Sequence, residues 1–536
     1  MKLTYAGLKE TKAFENCGIT LPNYDAWALS QNTCADPRWV HFGIGNIFRI
    51  FLGGIADRLI SKGFLDRGIT CVETFDYDVV DKIYTPFDNL VLGVTLHQDG
   101  LRDYAVLGSL CEAIKADSQN SASMERLAKV FTNDKLQLVT FTITEKGYAL
   151  KGADGSYLPY VLKDLKDGPE HVRGAMGIVT AMLLKRFLKN RKPLAPVSMD
   201  NVSQNGKKLR DSVLEIANFW VREGFCDETF IQYVSDESIV SFPWSMIDKI
   251  TPRPSNTIAA DLKNMGLEDM EVVVTSKKTY IAPFVNAEAP QYLVVEDNFP
   301  NGRPPFEQAG VYMTDRGTVN RSERMKVTVC LNPLHTALCT YDCLLGYEYF
   351  ADGMQDNELS KLAKRLGYIE GLPSVEDPKI LSPRDFLDEV INVRFPNSYM
   401  GDTSARIAVD ISQMVGIRFG HTIKYYVDTK GSASELIAVP LAIAGWLRYL
   451  LAVDDEGKAF ELSPDPMLKE LTDALVNVKL GNAASVGESL KPILGNANIF
   501  GIDLYKAGLG DKIEKMFLEL ISGPHAVRET LKKYLH

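Results

Sequence analysis

The first half of the chain alternates short runs rich in β-branched residues with stretches of helical periodicity. A helix is predicted over 170–190, and another after Gly45, where apolar residues recur at helical spacing until Gly63. Strands that alternate with helices in this way predict a parallel sheet covered on both faces. The predicted strands lie at 68–76, 89–96, 136–143 and 270–276.

A pair of glycines follows the apolar run that precedes these strands. The stretch 38–51, RWVHFGIGNIFRIF, has Gly-x-Gly at Gly43 and Gly45 and then the predicted helix. In dinucleotide-binding turns the first glycine permits a tight turn, the second admits the pyrophosphate, and a third allows close helix–strand packing. Phe48 stands in the third place, which predicts a wider separation or a shifted turn. Taken alone, a chance glycine pair in a loop explains the pattern equally well.

Side chains near the ends of the predicted strands are the other candidate contacts to a dinucleotide, since ligands of open α/β sheets bind there. Asn46 and Arg49 can donate hydrogen bonds to phosphate oxygens. An acid at the tip of the second strand accepts hydrogen bonds from the adenosine ribose and repels a 2′-phosphate; Asp76 is the first choice and Glu73 the second. Glu145 comes at the end of the strand predicted over 136–143, in FTITEKGY. A solvated loop acid is the alternative for Asp76, and a surface turn with an incidental ion pair is the alternative for the segment of Glu145.

The composition changes after about residue 290. A junction rich in Pro, Gly and Asn occupies 290–325, and helical patterns follow, with Ser382 as a predicted N-cap before Pro383. A chain of 536 residues is too long for one hydrophobic core. We therefore predict an α/β protein: an N-terminal α/β domain with a mostly parallel sheet over 1–310, and a mostly α-helical C-terminal domain over 311–536. The predicted C-terminal helices include 335–348, 357–366, 433–453, 465–479 and 525–535.

The composition is that of a soluble globular protein, with 46% hydrophobic and 24% charged residues. A net charge of −10 argues against a nucleic-acid or anionic-membrane partner. The most apolar run, 436–447, contains Pro440 and is shorter than the roughly 20 residues of a membrane span. The N-terminal residues show no secretory signal pattern. Eight scattered cysteines without C-x-x-C predict reduced thiols in the cytoplasm and no metal site.

The densest group of candidate catalytic residues lies in 322–343, SERMKVTVCLNPLHTALCTYDC. Glu323, Lys326, Asn332 and His335 fall within it. The sequence predicts a strand for KVTVCLN and a helix that begins near His335. A buried lysine has its pKa lowered by desolvation, which suits proton transfer near neutral pH. Each residue alone has an ordinary structural explanation, so the hypothesis depends on their grouping.

A second polar group follows the predicted strand LAPVSM. Asp200 and Asn201 come directly after it, in VSMDNVSQNGKKLR. The Asn201 amide can donate a hydrogen bond to a developing alkoxide. The Asn-Gly pair at 205–206 is a turn signal, and a plain turn is the alternative explanation for this segment.

Five motifs together resemble the long-chain mannitol dehydrogenase family. They are GIGNIFR, FTITEKGY, SMDNVSQNG, FPWSMIDKITP and MKVTVCLNPLHTAL, and they occur in family order within 38–420. Members of this family include mannitol dehydrogenases, fructuronate (mannonate) reductases and tagaturonate reductases. The resemblance implies metal-independent hydride transfer between NAD(H) and a sugar-derived ketone or alcohol, in a cleft between a Rossmann-type and a helical domain.

The resemblance also implies roles for the grouped residues. Lys326 matches the catalytic lysine of the family, and Asn201 and Asn332 match the pair that stabilises the alkoxide. His335 matches the histidine that orients the substrate. Glu323 matches a carboxylate that passes the proton to solvent.

Two substrate-contacting positions and two departures complete the comparison with the family pattern. Asp248 in FPWSMIDKITP and Arg406 in ARIAVDISQM match positions that contact substrate. Five residues separate Lys326 from Asn332, where the family usually has four. On a strand, the extra residue would turn the lysine to the other face unless a β-bulge restored its aim. Met414 stands where polyol-type relatives carry a lysine, which indicates a differently lined pocket.

The sequence thus predicts a cytoplasmic, NAD-dependent reductase that converts a keto-hexuronate, D-fructuronate, to D-mannonate. Tagaturonate reductase and mannitol 2-dehydrogenase are the enzymatic alternatives, and a catalytically silent NAD- or sugar-acid-binding regulator is the alternative outside enzymes. The expected partner is a small sugar acid or polyol, and the chain is a monomer or small homo-oligomer. A carboxylate substrate calls for a cation, and the candidates are Arg406, Arg418, His421 and Lys424.

Overall fold

The computed structural model describes all 536 residues, which divide into two compact units. The first unit comprises Met1–His97 and Leu101–Asn320, and the second comprises Gln98–Gly100 and Arg321–His536. All strands belong to the first unit. The domain boundary predicted at 310/311 stays a prediction.

The elements have the following bounds. The strands are β1 (Ile19–Thr20), β2 (Trp39–Phe42), β3 (Ile69–Glu73), β4 (Val91–Leu96), β5 (Arg102–Leu107), β6 (Leu110–Lys115), β7 (Leu138–Phe141), β8 (Ala195–Ser198), β9 (Ser245–Asp248), β10 (Val273–Val274), β11 (Tyr280–Ile281), β12 (Phe284–Glu288), β13 (Tyr292–Glu296) and β14 (Tyr312–Thr314). The α-helices of the first unit are α1 (Thr11–Asn16), α2 (Ala26–Ala35), α3 (Gly53–Ser61), α4 (Ser121–Phe131), α5 (Thr144–Tyr148), α6 (Pro159–Asp167), α7 (Ala175–Lys189), α8 (Asn205–Arg222), α9 (Glu228–Ser235) and α10 (Asn256–Asn264).

From the end of the first unit onward the chain is helical. The α-helices are α11 (Arg316–Met325), α12 (Asn332–Leu345), α13 (Phe350–Gln355), α14 (Asn357–Lys364), α15 (Pro383–Glu389), α16 (Ser404–Ile407), α17 (Ile411–Arg418), α18 (Gly420–Lys430), α19 (Ala438–Tyr449), α20 (Leu468–Ala474), α21 (Lys491–Leu494), α22 (Ala497–Phe500), α23 (Gly510–Leu520) and α24 (Ala526–Leu535). The π-helical turns of the whole chain are Phe48–Leu52, Val80–Tyr84, Lys326–Cys330, Arg365–Gly371 and Val390–Arg394. Short 3-10 turns lie at Gly7–Lys9, Thr85–Phe87, Phe306–Ala309, Leu372–Ser374, Ser398–Met400 and Ala483–Ser485.

A five-stranded sheet with the order β6-β3-β2-β7-β8 forms the centre of the first unit. All of its pairings are parallel, as the sequence predicts. Renumbered along the chain, this order is 3-2-1-4-5, the arrangement of the Rossmann fold. The order reverses between β2 and β7, and in such sheets the ligand crevice lies outside the carboxyl ends of the strands at that point.

The central strand of this sheet is buried on both faces. Every residue of β2, with the sequence WVHF, is buried. Val40 and Phe42 belong to one hydrophobic core, and Trp39 belongs to another that includes Phe48. Residues that alternate along a strand point to opposite faces, so both faces are covered and the strand can be apolar throughout.

Smaller sheets complete the first unit. A four-stranded sheet has the order β1-β5-β4-β12, and a three-stranded sheet has the order β14-β13-β9. The strand predicted over 270–276 is shorter than expected, since only Val273–Val274 pairs, with the two-residue strand β11. Val274 is 51% exposed, so this hairpin lacks the burial that would favour a longer strand.

Helix α19 lies at the buried centre of the second unit, with every residue from Ala438 to Tyr449 buried. The Tyr341 hydroxyl of α12 donates to the Leu441 carbonyl at 2.8 Å. Gly445 permits this close packing, because a Cβ there would lie 2.4 Å from the Tyr341 ring. This helix is the most apolar run of the sequence. Measured across the whole chain, no helix combines the length and apolarity needed to cross a membrane.

Local helix signals in the second half are confirmed. Ser382 accepts a hydrogen bond from the Asp385 N–H at 3.2 Å and caps α15, which begins at Pro383. Helices α12, α14, α19, α20 and α24 fall on the predicted helical intervals. The agreement is good where a cap or a periodic apolar face marks the helix within the segment itself.

Candidate active site

The turn after β2 places two glycines at the crevice of the parallel sheet. Gly43 has a φ of +87°, and a Cβ there would lie 2.2 Å from the Thr142 carbonyl oxygen. Glycine alone meets both constraints. At Gly45 a Cβ would meet no atom within 4 Å, so the space before the helical stretch 46–61 is open. The turn therefore forms a cradle in which backbone N–H groups at a helix start can meet an anion.

The place of the third glycine is taken by a ring that stacks on β2. Phe48 lies on the imidazole of His41, with ring centroids 3.8 Å apart and planes 4° apart. His41 Nε2–H donates to the Gly43 carbonyl at 3.1 Å, and Nδ1 accepts from the Thr140 hydroxyl at 2.7 Å. Burial lowers the pKa of His41 to about 3, so the ring is neutral near pH 7. An aromatic pair and a wide π-helical turn thus separate helix and strand where glycine would bring them together.

The two predicted phosphate donors after the turn have different surroundings. Arg49 is fully buried; its Nη1 donates to the Ala282 carbonyl at 2.8 Å, and its guanidinium lies 5.8 Å from the Tyr84 ring centroid. Burial lowers the pKa of Arg49 to about 10. Asn46 is half-buried at the start of the helix, and its Oδ1 has no protein partner. Because Oδ1 only accepts, this unpartnered atom does not test donation by Asn46 to a phosphate. Phosphate contacts by Asn46 and Arg49 both stay predictions, and the burial of Arg49 does not favour its contact.

The two acids at the end of β3, Glu73 and Asp76, are both buried and both bonded to the protein. One carboxylate oxygen of Glu73 accepts from the backbone N–H groups of Thr74, Phe75 and Asp76, at 3.0, 2.9 and 3.2 Å. Asp76 Oδ2 accepts from the Thr275 hydroxyl at 2.6 Å, and Asp76 Oδ1 has no protein partner. Glu73 thus shapes the loop. Asp76 keeps an acceptor of the kind that a ribose hydroxyl would fill.

Asp200, just beyond β8, holds the loop that follows β7. Its carboxylate accepts from the backbone N–H groups of residues 143–144 at 2.9 Å each, and from the Tyr148 hydroxyl at 2.6 Å. Burial raises the pKa of Asp200. Glu145, the predicted cofactor contact in this loop, is exposed and pairs with Lys208. The loop is therefore fixed from inside, and its exposed side carries Glu145.

Asn201 is exposed directly after this anchor. The Asn-Gly pair at 205–206, for which a plain turn was the alternative explanation, lies in a helix, because Asn205 begins α8. Its side chain is buried and joins two strand ends: Nδ2 donates to the Asp200 and Ser245 carbonyls at 3.0 Å each, and Oδ1 accepts from the Ser245 N–H at 3.0 Å. The strand that begins at Ser245 ends at Asp248, which is buried.

The stretch around Lys326, predicted as a strand, is helical. Helix α11 ends at Met325, a π-helical turn spans Lys326–Cys330, and α12 begins at Asn332. The Leu331 N–H donates to the Lys326 carbonyl at 3.1 Å, five residues back. A π-helical turn takes one residue more than an α-helical turn, which fits the extra residue that the family resemblance counts between the lysine and the asparagine. The segment thus has a π-helical turn in place of the predicted strand and its β-bulge.

The four grouped residues form two pairs. Glu323 and Lys326 are three residues apart, as are Asn332 and His335, so the members of each pair share a helix face. The side chains of Lys326 and Glu323 are buried, with relative exposures of 1% and 8%. The His335 ring lies 4.5 Å from that of Phe395, which fixes its orientation. A buried lysine is uncommon in a protein core, and function is the usual reason for one.

The remaining predicted substrate position in the second unit is Arg406. It is exposed, and its Nε donates to Asp402 Oδ1 at 2.6 Å. Met414 is half-buried in α17. The structure does not test substrate contact at either residue, and these roles stay predictions.

Two residues that shape the site were not predicted. His41 supports the glycine turn, and Tyr148 links Asp200 to the Ser198 hydroxyl, 2.7 Å away. A polar ring inside the otherwise apolar strand WVHF was the available signal for His41. Nothing local marked Tyr148, since its partners are about 50 residues away in sequence.

The fold and these residues together define a class, the nucleotide-dependent dehydrogenases built on a Rossmann sheet. The mannitol dehydrogenase Rossmann domain model matches residues 37–308, and the mannitol dehydrogenase C-terminal domain model matches residues 318–521. The chain belongs to the mannitol dehydrogenase family. The predicted family, fold class and oxidoreductase class of enzyme are therefore confirmed.

Individual relatives are similar over nearly their whole length. The chain is 48% identical to the D-mannonate oxidoreductase of Thermotoga maritima over 536 residues, 99% of each chain. A D-sorbitol dehydrogenase in substrate-free form has 26% identity and a TM-score of 0.79, with 96% of this chain and 97% of that chain covered. The mannitol 2-dehydrogenase of Pseudomonas fluorescens, solved with NAD and D-mannitol, has 24% identity and a TM-score of 0.73, with 100% and 99% covered. At that identity the likeness concerns the fold alone.

Proposed function

We propose that this protein is an NAD-dependent oxidoreductase that interconverts D-mannonate and D-fructuronate. The observation that carries the proposal is the 48% identity, over 99% of both chains, with a relative named as a D-mannonate oxidoreductase. The buried lysine at a π-helical turn and the open glycine turn also support the proposal, because such a reaction needs a proton-transfer group and a dinucleotide site. A cytoplasmic location is part of the proposal, supported by eight cysteines that are all free.

The residues of the first unit fit a dinucleotide. The turn from Gly43 to Gly45 leaves open space at a helix start, and Asp76 keeps a buried carboxylate oxygen without a protein partner. The acids Glu73 and Asp76 at the end of β3 disfavour a 2′-phosphate, so NAD is the cofactor rather than NADP. When bound, NAD would supply the hydride acceptor for oxidation of the secondary alcohol, and NADH would supply the hydride donor for the reverse reaction. Asn46 and Glu145 are the proposed further contacts.

Lys326 is the proposed acid and base. During oxidation its amine takes the proton of the reacting hydroxyl, and during reduction its ammonium group returns a proton to that oxygen. Glu323 lies on the same helix face and is proposed to carry the proton between Lys326 and solvent. Burial of both side chains keeps competing water away from the lysine.

Amide and imidazole groups complete the proposed machinery. The side-chain N–H groups of Asn201 and Asn332 donate to the oxygen on which negative charge develops, which lowers the barrier. His335, held against Phe395, orients the substrate through its hydroxyl groups. Asp248 and Arg406 are the proposed further substrate contacts.

A substrate panel tests the proposal. NADH oxidation is measured with D-fructuronate, D-tagaturonate and D-fructose, each also with NADPH. We expect the highest kcat/KM with fructuronate and NADH. A higher kcat/KM with tagaturonate or fructose would show that the proposed substrate is wrong and that the better ketone is the substrate. Binding of NADH without turnover of any ketone would favour the silent regulator.

A further inference from the structure

We propose that Arg418 binds the substrate carboxylate and so selects a sugar acid over a neutral polyol. The inference rests on the proposed function, because it takes mannonate and fructuronate as the substrates. Arg418 is the last residue of α17, in the second unit. It is one of the four cations that the sequence offers for this role.

Arg418 is a half-buried cation with very few protein partners. Its Nη1 donates to the Thr336 hydroxyl at 2.5 Å, which is the one hydrogen bond of its guanidinium, and no carboxylate pairs with it. Burial lowers the pKa of Arg418 to about 10, so the group stays charged near pH 7. Enclosing a cation without a counter-ion costs free energy, and a bound anion would offset that cost.

Two other buried arginines show what a structural role looks like in this protein. Arg186 donates to five backbone carbonyls, and Arg448 donates to three. Both guanidinium groups are thus used to cross-link the chain. Nε and Nη2 of Arg49 are shielded from solvent and have no hydrogen-bond partner, which is not true of the other nitrogens of Arg418. Solvent therefore reaches the donors of Arg418, and so can a ligand.

The position of Arg418 along the second unit suits a substrate contact. Its partner Thr336 is 2% exposed and follows His335 directly on α12. The hydrogen bond anchors the guanidinium beside the helix that carries Asn332 and the proposed substrate-orienting histidine. The carboxylate of mannonate lies towards the opposite end of the carbon chain from the reacting carbon. Arg418 is held by the residue next to the histidine, and the proposal places the carboxylate end there.

The other three candidates are engaged or exposed. Arg406 already pairs with Asp402, and it is 66% exposed. His421 Nε2 lies 2.9 Å from the Ser374 carbonyl oxygen. Lys424 is exposed. Arg418 also has the better geometry, since a planar guanidinium can donate two parallel N–H bonds to a carboxylate.

Arg418→Gln tests the proposal, with Arg418→Lys as the conservative variant and Lys424→Gln as the matched control. We expect Arg418→Gln to raise the KM for mannonate roughly 10- to 100-fold, the loss for one charge-assisted contact. The KM for NAD should stay unchanged. The ratio of kcat/KM for fructuronate to that for fructose should fall, which a purely structural defect would not cause. The KM of Arg418→Lys for mannonate should lie between the values of wild type and Arg418→Gln. The KM of Lys424→Gln should equal that of wild type.

The failures are distinguishable. A wild-type enzyme that does not oxidise mannonate overturns the proposed function, and this inference with it. If the wild-type enzyme oxidises mannonate, and Arg418→Gln has the same KM for mannonate and the same ratio of kcat/KM for fructuronate to fructose, this inference alone is overturned. Melting temperatures show whether each variant folds. If Arg418→Gln does not fold, Thr336→Val removes the anchor and keeps the guanidinium; an unchanged mannonate KM in that variant also overturns the proposal.

Discussion

The ring of Phe48 lies flat on the imidazole of His41, with centroids 3.8 Å apart and planes 4° apart. Phe48, which stands in the place of the third glycine of a dinucleotide-binding turn, therefore helps to support that turn. His41 in turn donates to the Gly43 carbonyl. The stack thus connects the start of the helix to the backbone of the glycine turn, and disturbing either ring should affect both stability and cofactor binding.

Phe48→Gly would restore the glycine fingerprint but empty a buried site. We expect a loss of about 3–5 kcal/mol in the free energy of unfolding, the range for deleted buried aromatic rings. We also expect weaker NADH binding, since the turn loses its support. Calorimetry and NADH fluorescence titration measure the two effects. Leu188→Ala is the control, because that side chain is 72% exposed. A Phe48→Gly protein as stable as wild type would contradict this account.

His41 should make stability depend on pH in the acidic range. Its folded pKa of about 3 lies below its ordinary value of 6.5, so the unfolded state binds more protons between these values. The contribution of His41 is complete above the unfolded pKa and declines, as the pH falls, by about 1.4 kcal/mol per pH unit. Between pH 7 and pH 5, calorimetry should show a larger fall in Tm for wild type than for His41→Gln. Parallel curves would exclude His41 as the source.

Lys326→Met should remove the proton transfer and spare cofactor binding. We expect kcat to fall by about 10²–10⁴, the usual contribution of a positioned acid or base. Stopped-flow measurement of NADH oxidation, with a separate NADH titration, separates chemistry from binding. Lys469→Met is the matched control on the surface, where that lysine side chain is 89% exposed. Equal kcat in Lys326→Met and wild type would overturn the mechanism.

Asp200→Asn should raise the KM for NAD, because it weakens the anchor of the loop after β7. The carboxylate accepts from two backbone N–H groups and from Tyr148. We expect an increase of about tenfold, since these are hydrogen bonds to a charged group. Tyr148→Phe removes one of the three and should have a smaller effect in the same direction. Initial-rate kinetics with varied NAD concentration measure the KM for NAD. An unchanged KM in Asp200→Asn would refute a positioning role for Asp200.

Glu370→Ala should destabilise the second unit. The buried carboxylate accepts from the N–H groups of Ile437, Ala438 and Val439 at the start of α19, at 2.8, 2.8 and 2.9 Å. Removing it leaves these donors unpaired, at an expected cost of about 3 kcal/mol. Glu376→Ala is the control: its ion pair with Arg324 is solvent-exposed and should contribute less than about 1 kcal/mol. Equal melting temperatures for both variants would count against the capping role.

Several features followed from the sequence because they are local. Buried strands such as β2 and β7 are short apolar runs bounded by polar residues, so their positions could be predicted. The cap at Ser382 also depends on residues within one turn. The glycine turn was recognisable because the Gly-x-Gly pattern is local, and backbone geometry requires glycine at Gly43. Family motifs then identified the mannitol dehydrogenase family.

The segment at Lys326 shows where local information failed. The β-branched run VTV favours a strand by propensity, yet Thr328, Val329 and Cys330 are buried in a helical unit and adopt a π-helical turn. The failure has a physical reason, since burial against neighbouring helices outweighs a propensity of at most about 1 kcal/mol.

By itself, the sequence determined the parallel sheet, the glycine turn, the family and the identity of the candidate catalytic residues. Tertiary structure alone decided that Phe48 pairs with His41, that Asp200 anchors the loop at 143–144, and that Arg418 has donors to spare. Each of these depends on which side chains occupy the space around a group. Except for the His41–Phe48 pair, the partners lie tens of residues apart in the chain, and only the packed fold brings them together.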